Sequence, residues 1–131
     1  MALVIRNEMA ESFADLGGVE VSTDDVIAGG LLHDVGKAFE FDPQNQKRWQ
    51  ADSRKTGFPA MRHSVYGGYV ALSVGLPEEI AHLISAHSSE GNLIEKSVAC
   101  VMVREGDHAF WGMAEDGGLL TGEIPHAPAG R

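Results

Sequence analysis

The chain has 131 residues and a formal net charge of −9, which leaves room for one domain with one core and opposes non-specific binding to nucleic-acid phosphates. Hydrophobic residues at 44% against 22% charged exclude wholesale disorder, and the longest apolar runs, 26–32 and 97–103, are too short to span a bilayer. The single cysteine, Cys100, excludes an internal disulfide; with Arg6, Glu8, Glu11 and Asp15 interrupting any leader-like apolar stretch, a cytoplasmic protein is expected.

Residues 2–16 read as a helix, because Leu3, Met9, Phe13 and Leu16 recur near helical spacing and Gly17-Gly18 ends the pattern. A second helix starts near Thr23, where Thr23-Asp24-Asp25 offers a cap and early negative charge. It passes through Val26, Ile27, Leu31 and Leu32 to His33, Asp34 and Val35, with Gly36 as its stop. Periodicity fails over 38–60, where Pro43, Gly57 and Pro59 punctuate the chain and the polar 44–53 leave room for one short helix. Pattern returns at Met61 and closes at Gly75. Pro77, followed by Glu78 and Glu79, opens a helix that reaches His87 or Ser88. After a turn over 89–92, a last helix runs from about Ile94 to Trp111. No strand pair with hairpin turn chemistry is present. The expected fold is all-α, a single-domain bundle of about five core helices over residues 1–116, with a loosely attached tail over 117–131.

Charge is unevenly spread. Of the ten basic residues, Lys37, Lys47, Arg48, Arg54, Lys55 and Arg62 cluster between positions 37 and 62, opposed only by Glu40, Asp42 and Asp52. Such a stretch is either a solvated loop or a lid that meets an anionic substrate.

The histidines sort by helical face. A metal ligand belongs on the core side, where an unpartnered polar group would otherwise be costly. His87 ends a stripe formed by Ile80, Leu83 and Ile84, and His63 shares its face with Tyr66, Gly67 and Val70. Asp34 follows Ile27, Gly30 and Leu31; His33 follows Val26, Gly29 and Gly30, a glycine pair that makes sense where another element packs very close. Asp107 follows Cys100 and Val103, so a carboxylate ends an apolar stripe, and a cation is the simplest remedy. His82, beside Glu78, Glu79 and Ser85, reads as solvent-exposed, as does His108; His126 lies in the tail. Nitrogen and oxygen donors without thiolate suit Mn, Fe, Co, Ni, Mg or Zn.

The string Leu31-Leu32-His33-Asp34-Val35-Gly36-Lys37 resembles the defining motif of HD-domain phosphohydrolases. His63, in Arg62-His63-Ser64-Val65-Tyr66-Gly67-Gly68, is similar to the family's next histidine, His87 to the one closing the following helix, and Asp107 to the late aspartate. Order and spacing agree over residues 3 to 112. The resemblance implies hydrolysis of a small phosphomonoester or phosphodiester, frequently a nucleotide, by water activated on one or two divalent ions. It implies His33, Asp34, His63, His87 and Asp107 as ligands, with Asp34 also accepting a hydrogen bond from the nucleophile. Lys37 and Arg62 would meet the phosphate. Two departures stand out. No histidine precedes His33, although the family usually carries an early one, so either the chain begins late or the site works one ligand short. His87-Ser88 stands where subfamilies with a second metal often have two histidines. Alternatives are a degenerate HD domain that binds a nucleotide or partner without turnover, and a di-iron HD-fold oxygenase. A homo-oligomer is compatible with all three.

Overall fold

The computed structural model describes residues 20–120 together with Glu8, Glu11 and Ser12; most of the expected helix over 2–16, and the tail from 121 onward with His126, lie outside the described residues. Among the described residues every regular element is helical and no strand occurs, as expected. In chain order these are α1 (Thr23–Leu32), α2 (Lys37–Glu40), α3 (Pro43–Ala51), α4 (Ser53–Thr56), α5 (His63–Ser73), α6 (Glu78–Ala86), a 3-10 turn (Ser89–Leu93) and α7 (Val98–Asp116).

Local chemistry explains the boundaries. Ser22, one residue before the expected cap, accepts a hydrogen bond from the Asp25 backbone N–H at 3.2 Å and starts α1. Asp42 caps α3, with Pro43 in its first turn. At the end of α5 the Leu76 N–H reaches the Ala71 carbonyl and the Gly75 N–H that of Leu72, with Gly75 at φ 80°. This paired closure needs a left-handed residue, which glycine adopts without steric cost. The last helix starts at Val98 rather than near Ile94, because the Ser97 hydroxyl accepts the Cys100 N–H at 3.2 Å. It also runs on to Asp116.

α6 is the centre of the packing. Ile80, Leu83, Ile84 and Ala86 are buried against Ala71 of α5 and Cys100 and Val103 of α7. Val26 of α1 and Met102 of α7 extend the core. Fully burying aliphatic side chains of this kind stabilises the fold by roughly 1.5–3 kcal/mol each. A Cβ on Gly29 would lie 2.9 Å from Leu83 Cδ1 and 3.3 Å from Val103 Cγ2, so α1 approaches α6 and α7 at contact distance there. Gly36 is tighter. An added Cβ would sit 2.0 Å from the His63 carbonyl oxygen, so the turn after α1 rests directly on the start of α5. These two approaches bring the ends of α1, α5 and α6 together.

Candidate metal centre

His33 and His87 cap the C-terminal ends of α1 and α6, while His63 is the first residue of α5. The C-terminal end of a helix carries partial negative charge, so two of these imidazoles stand where a cation is favoured. All three rings are buried. Each is held by its Nδ1: His33 by the Gly30 carbonyl at 3.0 Å, His87 by the Ile84 carbonyl at 2.8 Å, and His63 by Glu40 Oε2 at 2.8 Å. Carbonyl and carboxylate oxygens only accept, so the three Nδ1 atoms donate, and each Nε2 offers a lone pair whenever its ring is neutral.

The Nε2 atoms converge on Asp34. Its Oδ2 lies 3.2 Å from His33 Nε2, and its Oδ1 lies 3.6 Å from His63 Nε2 and 3.9 Å from His87 Nε2. Asp107 Oδ1 approaches His33 Nε2 at 3.5 Å from α7. Neither carboxylate approach gives His33 Nε2 a directed hydrogen bond, and this buried nitrogen has no hydrogen-bond partner among the described residues. His33, Asp34 and His87 each offer a ligand atom within 4.8 Å of the other two. An orphaned buried nitrogen, anchored rings and nitrogen–oxygen donors together fit a divalent cation.

The electrostatics follow from the same contacts. Burial works against a charged His33, but Asp107 and Asp34 outweigh it and raise its pKa to about 9. Burial also dominates at His87 and lowers its pKa to about 4. At Asp34 burial is overcome by His33 and Lys37, which hold the carboxyl well below the usual carboxylate range; at Asp107 burial is outweighed by His33, which lowers its pKa.

Every residue expected at the site is near it, but not all are disposed as expected. His33, Asp34, His63, His87 and Asp107 converge. Lys37, at the start of α2, reaches inward to Asp34 Oδ2 at 2.7 Å. Arg62 is paired with two carboxylates: its Nη1 contacts Glu40 Oε1 at 2.5 Å and its Nε contacts Glu90 Oε1 at 2.6 Å. His82 is half-buried rather than solvent-exposed, and its Nε2 accepts the Ser97 N–H at 3.1 Å. His108 is exposed, as its polar face implies.

Helical-face spacing singles out neither Glu40 nor Glu90. Glu40 is 2% exposed, yet it lies where periodicity fails, so no helical face could be assigned to it. Of its aromatic neighbours Phe39 is half-buried and Phe41 is exposed, so the pair gives no sign of its burial. At Glu90 burial is outweighed by the Ser88 hydroxyl and Arg62, which lower its pKa to about 2.

No curated protein and no solved structure matches the chain. A family model of the HD domain matches residues 3–112, which include the His33-Asp34 pair, His63, His87 and Asp107. With most of its length and the whole of this centre covered by that match, the chain belongs to the HD-domain family.

Proposed function

We propose that this chain is a metal-dependent phosphohydrolase that cleaves a small phosphomonoester or phosphodiester, with nucleotides as the first class to test. The observation that carries the reading is the division of Asp34. One oxygen faces His33 and Lys37, while the other faces His63 and His87. A carboxylate so placed can serve one cation or bridge two, with Asp107 completing the His33 side.

A bound divalent ion supplies Lewis-acid polarisation of a phosphoryl oxygen and a lowered pKa for water at neutral pH. The chain's own groups do the rest. The buried rings hold three nitrogens in fixed directions, which removes the cost of organising them at each turnover. Asp34, half-buried and ionised, can accept a hydrogen bond from the attacking water. Lys37, about one-third exposed at the mouth of the site, can exchange its contact with Asp34 for a phosphate oxygen. Its positive charge then offsets charge on the transferring group.

Metal analysis of the purified protein, followed by a phosphoester panel with Mn, Fe(II), Co, Ni, Mg and Zn supplied separately, tests the reading. Chelation and Asp34→Ala should each abolish phosphate release without unfolding the bundle. If folded, metal-loaded protein releases neither phosphate nor nucleoside monophosphate from any ester in the panel, the hydrolase reading fails.

A further inference from the structure

We propose that Glu40 is a positioning residue for the centre: its buried carboxylate, clamped by Arg62, fixes His63 with Nδ1 protonated and Nε2 aimed at Asp34 and His87. The role of His63 Nε2 as a donor to a cation rests on the reading above; the positioning by Glu40 does not.

Glu40 Oε2 receives two N–H groups from the same residue, the His63 backbone N–H at 2.5 Å and its Nδ1–H at 2.8 Å. The first fixes the start of α5 and the second fixes the ring, so one oxygen sets both position and orientation. The other oxygen takes the Arg62 guanidinium. Arg62 is itself held by Glu90, which accepts from Ser64 and Ser88, the residues that follow His63 and His87. A chain of ion pairs therefore joins α2, the start of α5 and the 3-10 turn that follows α6, behind the two histidines.

The consequence is directional. With Nδ1 committed to Glu40, the neutral His63 ring presents a bare Nε2, 3.4 Å from His87 Nε2 and 3.6 Å from Asp34 Oδ1. A carboxylate behind a histidine also makes the opposite nitrogen a better donor. Without this partner the ring can adopt the other tautomer, whose Nε2–H occupies the donor position.

Glu40→Met keeps the side-chain length and tests this. Among the described residues, every group that hydrogen-bonds the Glu40 carboxylate is an N–H donor, and the thioether offers none of them a comparable acceptor. Nitrogen NMR of the imidazoles in metal-free protein should show wild-type His63 protonated at Nδ1 and the variant shifted toward the Nε2–H tautomer. Cobalt titration of folded Glu40→Met should give an affinity about 10- to 100-fold weaker than wild type. An Nε2–H tautomer in the wild type overturns the proposal, and that measurement stands even where the variant does not fold. Unchanged tautomer and unchanged cobalt affinity in the folded variant also overturn it. Wild-type protein that binds no cobalt would sink the metal reading, while the tautomer comparison still decides the role of Glu40.

Discussion

His63 and His87 face each other through their Nε2 atoms at 3.4 Å, and both rings spend their Nδ1 hydrogens elsewhere. In neutral rings two lone pairs then oppose each other beside the Asp34 carboxylate, an arrangement that a cation relieves. Replacement of His33, Asp34, His87 or Asp107 by Ala should therefore abolish or sharply weaken divalent-ion binding in a titration. His108→Ala should leave it unchanged. His82→Ala should also keep the metal but lower unfolding stability by about 1 kcal/mol, because it deletes the acceptor for the Ser97 N–H. Loss of metal in His82→Ala with retention in Asp107→Ala would reverse the assignment of faces.

The metal-free protein should be most stable near pH 6.5. His33, raised from 6.5 to about 9, contributes stability that is fully present below 6.5 and is lost as pH rises through 9. His87, lowered from 6.5 to about 4, contributes stability present above 6.5 and lost as pH falls through 4. The depressed carboxyls of Asp34 and Asp107 add to the loss on the acid side. Urea unfolding of chelated protein across this range measures the curve. Because His33 must shed its proton to become a ligand, metal affinity should also rise with pH up to about 9. A flat affinity profile between neutral pH and 9 would mean that His33 is not displaced from its proton by the metal.

Two glycines separate structural cost from functional cost. At Gly36 an added Cβ meets the His63 carbonyl at 2.0 Å, and backbone cannot yield as a side chain can. Gly36→Ala should cost about 1–3 kcal/mol or more and push the His33 turn away from His63, weakening metal binding as well. Gly75 has φ 80° with no described atom within 4 Å of an added Cβ. Gly75→Ala should cost roughly 1–2 kcal/mol through backbone strain alone and leave metal binding intact. Paired denaturation and metal titrations check both.

Much of this centre is legible in sequence because its ligands end apolar helical stripes. Ile80, Leu83 and Ile84 ahead of His87, and Cys100 and Val103 ahead of Asp107, are buried as their spacing implies. The Gly29-Gly30 pair pointed to a close contact, and Gly29 makes one with Leu83 and Val103. What was not legible depends on partners distant in sequence. Arg62 is 22 residues from Glu40 and 28 from Glu90, so no local pattern distinguishes a clamped guanidinium from a free one. The Ser97 N–H that His82 accepts is likewise 15 residues away. The early boundary set for α7 failed for a local reason, since a serine cap outweighed the apolar Ile94 before it.

Among the described residues Lys37 is the remaining cation directed at the centre, and its behaviour separates binding from catalysis. Its Nζ shares Asp34 Oδ2 with His33 Nε2, at 2.7 Å and 3.2 Å. Lys37→Ala removes a competitor for that oxygen, so metal affinity should hold or tighten. The same change removes a positive charge that can follow developing charge on a phosphoryl oxygen. Loss of one such electrostatic stabiliser typically costs about a hundredfold or more in rate. Metal-saturated Lys37→Ala should therefore lose about a hundredfold in turnover of a small phosphoester, and Lys37→Arg should recover part of it. A phosphoester assay at saturating metal, run beside a metal titration of the same variant, measures both quantities. If Lys37→Ala instead loses the metal, the lysine serves to orient Asp34, and its contact at 2.7 Å is structural rather than one exchanged for substrate.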